Sequence, residues 1–115
     1  MTIERLQTNA RMSMVVKNAG VAYLAGQVAD DWSADLETQA KQVMAKIDAL
    51  LASAGSDKSK ILSATIWLTD MADFAAMNPI WEAWMPAGAA PARATVQAAL
   101  ASPDLKIEIA VIAAC

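Results

Sequence analysis

The chain has no histidine among its 115 residues. The commonest general base and the commonest metal ligand are therefore both missing. Zinc sites built on Cys and His are excluded, as are nucleophile–histidine arrangements of the Ser-His-Asp or Cys-His kind. Any chemistry falls to Arg, Glu, Asp, Lys, Tyr, Ser, Thr, backbone groups or water. There is one cysteine, Cys115, so a disulfide scaffold within the chain is also excluded. No apolar run reaches the roughly 20 residues that span a bilayer; residues 107–115 come closest and fall far short. The start, MTIERLQTNA, lacks the apolar core of a signal peptide. With a single cysteine as well, the expectation is a cytoplasmic protein with no membrane association.

Positive charge is also in short supply, since nine Lys and Arg face twelve Asp and Glu for a net charge of −3. Nucleic-acid binders draw most of their affinity from cations on phosphates, so this balance argues against one. Apolar residues are plentiful at 57 %. The length fits one domain over residues 1–115, with a real core. A small monomer has a large surface-to-volume ratio, and this much apolar content argues that another copy covers part of it.

Periodicity orders the elements as strands, helix, strand, helix, strand, strand. A short strand near Ile3–Leu6 is followed by MVVKN and VAYLAG, two strands around a turn at Ala19-Gly20. In DDWSADLETQAKQVMAKIDALLASAG, the residues Leu36, Ala40, Val43, Ile47, Leu50, Leu51 and Ala54 form one apolar helical stripe. Ser33 is the expected N-cap and Gly55 the expected stop. Leu62, Ala64, Ile66 and Leu68 alternate with polar residues and Trp67 at strand period. A second helical stripe carries Phe74, Met77, Trp81 and Trp84. Pro79 either follows a separate DMADF turn, with the helix starting near Asn78, or kinks a longer helix; the first is expected, because Pro is tolerated in a first turn. The end reads as a hairpin with Leu100 opposite Leu105. Ala94, Val96, Ala98 and Leu100 would face inward with Ile107, Ile109, Val111 and Ala113. Two helices on one face of a sheet make an α+β domain.

One residue stands out in the otherwise small and apolar stretch APARATVQAAL. Arg93 carries a permanent charge and five donors in a rigid fork. The hairpin register places Arg93, Thr95, Gln97 and Glu108 on the face away from the helices. Glu108 then lies opposite Gln97, four residues along from Arg93, or about 13 Å away. A site using both would draw them from neighbouring subunits.

The stretches YLAGQV, QAKQVMAKIDALLASAGSDKSKIL, ATIWLTDMADFAAMN, PARATV and KIEIAVIAA together resemble the RidA/YjgF family of reactive-intermediate (imine) deaminases. The likeness runs from about residue 12 to residue 114, closest to a branch that begins, as here, with an ARMS-like element. It implies a chorismate-mutase-like mixed sheet with two helices on one face, assembled as a homotrimer with clefts between subunits. It implies hydrolysis of 2-imino acids to 2-keto acids and ammonia, without metal or cofactor. Arg93 would grip the substrate carboxylate and Glu108 would position or activate water. Asn78, Ala25, Gly26 and Thr95 would line the cleft. Met12 stands where many members have tyrosine, and Thr95 where many have cysteine. Loss of the tyrosine hydroxyl leaves a second reading, a non-catalytic binder of small 2-keto or carboxylic acids. Ribonuclease roles assigned to some relatives fit poorly with the acidic balance and the lack of histidine.

Overall fold

In a computed structural model describing residues 2–115, one mixed sheet carries two helices on a single face. The strands are β1 (Glu4–Thr8), β2 (Ser13–Asn18), β3 (Val21–Leu24), β4 (Gln27–Val28), β5 (Ile61–Leu68), β6 (Ala92–Gln97) and β7 (Ile107–Ala114). The helices are α1 (Leu36–Ser53) and α2 (Phe74–Trp84). Spatial order is β1-β2-β3-β7-β5-β6, and β4 also pairs with β7. The molecule is 43 × 37 × 20 Å, the thickness of a sheet with one helical layer.

Helix α1 follows its sequence stripe: Ala40, Val43, Met44, Ile47, Leu50 and Leu51 are buried. Its N-cap is Asp35, not Ser33. The Asp35 carboxylate accepts from the Thr38 N–H, while the Ser33 hydroxyl donates to Asp31. The helix ends in a Schellman arrangement. Gly55 takes φ +75°, and the Ser56 and Gly55 N–H groups bond the carbonyls of Leu51 and Ala52.

The expected C-terminal hairpin does not form. β6 pairs with β5 in parallel, β7 pairs with β5 antiparallel, and β5 lies between them. Parallel neighbours require a crossover, and α2 supplies it between β5 and β6. β7 becomes a central strand, with Ile107, Ile109, Val111 and Ala113 buried under the helices. β6 becomes an edge strand, and its faces are the reverse of those expected. Arg93, Thr95 and Gln97 are in register with Ala64, Ile66 and Leu68 of the core face. Ala94 and Val96 turn to the bare face with Thr65 and Trp67. On β5 a register shift between Ile61 and Ser63 puts Ile61 in the core and leaves Leu62 exposed.

The second helix also starts earlier than its proline suggests. A single 3-10 turn at Met71–Asp73, capped by Asp70, leads into α2 at Phe74. Pro79 therefore sits inside the helix. It cannot donate to the Ala75 carbonyl, but Ala75 is exposed and water can take that role. Asn78 is consequently a mid-helix residue.

Among the described residues, no helix covers the opposite face of the sheet. It carries Val16, Tyr23 and Ile112 in one cross-strand row, and Val28, Glu108, Trp67 and Val96 in another. Tyr23, Val96 and Ile112 are exposed there.

Candidate functional site

Arg93 projects from edge strand β6 toward α2. Phe74, Asn78 and Trp81 stand at i, i+4 and i+7 of that helix, which is one face. They form a cradle for the guanidinium. Its central carbon lies 5.8 Å from the Phe74 ring centroid and 5.5 Å from that of Trp81, within cation–π range. Arg93 Nη2 donates to Asn78 Oδ1 at 2.9 Å, its one side-chain bond among the described residues. None of the ion pairs among the described residues includes Arg93; they join Lys17 to Glu4, Lys41 to Glu37 and Lys46 to Asp30. A half-buried permanent cation is thus held in place and left without a counter-charge.

Thr95 lies two residues along the same strand and face. Its Oγ1 is buried and has no hydrogen-bond partner among the described residues. Gln97, next on that face, accepts the Met71 N–H and fixes the turn before α2. The structure therefore brings Arg93, Asn78 and Thr95 together between β6 and α2.

Glu108, Ala25 and Gly26 form a second group. β3 and β4 run along one edge of β7, with Tyr23 opposite Ile112 and Gln27 opposite Ile109. Four residues on one strand thus span three on the other, a β-bulge at 24–26. The bulge places Gly26 beneath the Glu108 side chain. A Cβ on Gly26 would collide with Glu108 Oε2 and lie 3.1 Å from its Cδ. Glycine is present here because a carboxylate occupies the space. Gln27 holds the bulge from the core side, donating from Nε2 to the Ala25 carbonyl at 2.9 Å. Partial burial raises the Glu108 pKa above its ordinary value of 4.5. The apolar neighbours are visible in the register: Val28 on one side of Glu108 and Trp67 on the other.

The two groups do not meet within one chain. Arg93 faces the helices and Glu108 the bare face. Arg93 is in register with Ala64 and Glu108 with Trp67, on either side of β5. Three residues along and two strands across separate their Cα positions by about 14 Å. The expectation that both lie on the bare face is thus corrected, because β5 and not β6 is the neighbour of β7.

Three contributors were not singled out as site residues from sequence: Phe74 and Trp81 around Arg93, and Trp67 beside Glu108. The spacing of Phe74, Asn78 and Trp81 on one helix face was the available signal for the first two. Met12 lies exposed after β1, in a turn where the Asn9 side chain accepts the Arg11 and Met12 N–H groups. Among the described residues no cluster of three or more His, Cys, Asp or Glu is placed to hold a metal ion. No helix there is long and apolar enough to cross a membrane.

Fold and candidate site together define a class: a small two-layer α+β domain whose candidate polar groups are divided between the two faces of its sheet. Comparison with known proteins places it further. The family model described as Endoribonuclease L-PSP matches residues 2–115. The RutC family protein YoaB of Escherichia coli strain K12 is 49 % identical over 114 residues, covering 99 % of both chains. The chloroplastic Reactive Intermediate Deaminase A of Arabidopsis thaliana is 37 % identical over 95 residues, 83 % of this chain and 50 % of that protein. The crystal structure of a YjgF family member from Neisseria meningitidis superposes with a TM-score of 0.96 at 42 % identity, covering 99 % of this chain and 95 % of that one. The chain belongs to the RidA/YjgF family, also described as the Endoribonuclease L-PSP family.

Proposed function

We propose that the protein hydrolyses reactive 2-imino acids to 2-keto acids and ammonia in a cleft between two copies of the chain, in a homotrimer. The observation that carries this reading is Arg93, a permanent cation buttressed by Asn78, Phe74 and Trp81 and lacking a counter-charge. A planar fork so held suits a carboxylate, which it can bind through two parallel charge-assisted bonds. Glu108 is the complementary group. It faces away from its own Arg93, so a site with both takes Glu108 from a neighbouring copy. The bare apolar face around Tyr23, Trp67, Val96 and Ile112 supplies a surface for that copy. One relative's name, Reactive Intermediate Deaminase A, agrees with this chemistry.

The reaction follows from these placements. Arg93 holds the substrate carboxylate, with the Thr95 hydroxyl alongside. Glu108 of the neighbouring copy takes a proton from water as the oxygen bonds to the imine carbon, and returns it to the imine nitrogen. The resulting carbinolamine transfers its hydroxyl proton to the same nitrogen through Glu108. Ammonia leaves as the carbon–oxygen double bond forms. A carboxyl whose pKa is raised toward the working pH is suited to accepting and returning protons. The substrate is intrinsically unstable, so positioning and electrostatic complementarity suffice without a metal or cofactor.

Imines generated in place by an L-amino-acid oxidase test the proposal. Catalytic amounts of the protein should shorten the imine lifetime and speed ammonia release severalfold. No acceleration, beside measurable keto-acid binding, would leave a non-catalytic carboxylate binder, the reading that Met12 in place of a tyrosine favours.

A further inference from the structure

We infer that Trp67 walls the side-chain end of this site and selects 2-imino acids with uncharged, apolar side chains. The inference rests on the imine-hydrolysing reading above and adds the substrate class to it. A 2-imino acid presents its carboxylate, its nitrogen and its side chain around one planar carbon. With the carboxylate on Arg93 of one copy and the carbon before Glu108 of the next, the side chain must lie against the surface flanking Glu108.

That surface can be read from the strand register. Across the bare face the order is Val28, Glu108, Trp67, Val96, each directly opposite its neighbour. Directly opposed residues hold their Cβ atoms about 5 Å apart, so Trp67 flanks the root of the Glu108 side chain, while the Glu108 carboxylate reaches over Gly26 on the far side and leaves the Trp67 side open. The adjoining row holds only Ala110, Thr65 and Ala94, which leaves depth beside the indole. On the other side of Glu108 the Ala25–Gly26 bulge closes the approach. No other charged residue shares the Glu108 row. An acidic substrate side chain would place a second anion beside Glu108 against an apolar wall, and a methyl group would leave the indole largely uncovered. Branched and aromatic side chains fill the space.

Equilibrium binding of the product keto acids reads this selectivity without requiring turnover. The probes are pyruvate, 4-methyl-2-oxopentanoate, phenylpyruvate and 2-oxoglutarate, measured by calorimetry on the wild-type assembly, Trp67→Ala and Trp67→Phe. Wild type should bind the two large apolar acids at least about tenfold tighter than pyruvate or 2-oxoglutarate, on the scale of one or two buried methylenes. Trp67→Ala should narrow that ratio to about threefold or less, with Trp67→Phe between the two. If Trp67→Ala does not assemble, Trp67→Phe decides, since an unchanged ratio in it overturns the inference. An equal loss of affinity for all four acids also overturns it, because a purely structural role moves them together. Selectivity that depends on Trp67, in a protein that does not accelerate imine hydrolysis, would sustain this inference and end the deaminase reading. Turnover with selectivity indifferent to Trp67 would do the reverse.

Discussion

Arg93 and Glu108 leave the same sheet in opposite directions. Arg93 rises from the edge strand toward α2, where Asn78 accepts its Nη2 hydrogen bond. Glu108 projects from central strand β7 onto the face no helix covers, one strand beyond β5. A guanidinium without a counter-charge and a carboxylate in an apolar row are each incomplete as a site. Bringing a second copy onto the bare face can complete both, which ties the proposed chemistry to assembly.

Arg93→Ala should abolish keto-acid binding while leaving the assembly intact, because Arg93 sits at the edge of the sheet and outside the buried core. Hydrogen bonds to charged groups are worth about 1.5–3 kcal/mol each, so losing even one weakens binding by roughly tenfold or more. Arg93→Lys should not restore it, since an ammonium lacks the two-pronged geometry. Calorimetry with size-exclusion chromatography checks both points. Normal keto-acid binding by Arg93→Ala would contradict the site.

Gly26→Ala separates folding from function. The new methyl would meet the Glu108 carboxylate, which is the far end of a flexible side chain and can swing aside. The stability cost should be about 1 kcal/mol or less, while imine hydrolysis falls at least about tenfold as the carboxylate leaves its place. A thermal melt and the oxidase-coupled assay distinguish this from a general folding defect, in which both would fall together.

The burial that raises the Glu108 pKa has consequences for both activity and stability. Hydrolysis needs the ionised carboxylate, so the rate should fall as pH drops through a value above 4.5, and Glu108→Gln should remove that limb along with most of the activity. For stability the sign is the opposite of the usual paired carboxylate. Below the unfolded pKa both states are protonated and burial exacts no charge penalty. As pH rises through the interval up to the folded pKa, the ionised form is disfavoured in the folded state and stability declines. Glu108→Gln should therefore melt at the same temperature as wild type or higher at pH 7, with the advantage shrinking toward pH 4. A variant less stable than wild type at pH 7 would contradict this placement.

Ile112→Glu places a charge in the middle of the bare face, beside Tyr23. Secondary structure should persist, because the side chain points away from the helices, while sedimentation velocity should show a smaller species at micromolar concentration. Unchanged mass would mean that this face is not the interface.

How far the fold could be read from sequence depended on whether a signal was local. Helix α1 was legible to its end, since its stripe and Gly55 need only nearby residues. The β3 turn at Ala19-Gly20 was equally local. The pairing of β6 and β7 was not: the short ASPD link suggested a hairpin, but period-2 patterning does not say which strand lies alongside. The countervailing signal was α2 lying between two strands, which fits a parallel pair and a crossover. Missing it turned Arg93, Thr95 and Gln97 to the wrong face. Alternation also misled because β6 is an edge strand, with its apolar residues on the bare face and its polar ones near α2. Pro79 misplaced the start of α2 because its missing N–H faces an exposed carbonyl, where water substitutes. Family resemblance made Arg93, Asn78 and Glu108 candidates, whereas their division between two faces required the sheet order.

The most direct measurement mixes two inactive proteins. Arg93→Ala supplies only Glu108, and Glu108→Gln supplies only Arg93. Unfolded together in equal amounts and refolded into the proposed homotrimer, they would give mixed assemblies in which one cleft of three receives both wild-type groups. With random assembly about a quarter of wild-type imine hydrolysis should return, while each variant refolded alone stays inactive. Mixed assemblies that remain as inactive as their parents would contradict a site built from Arg93 of one copy and Glu108 of the next.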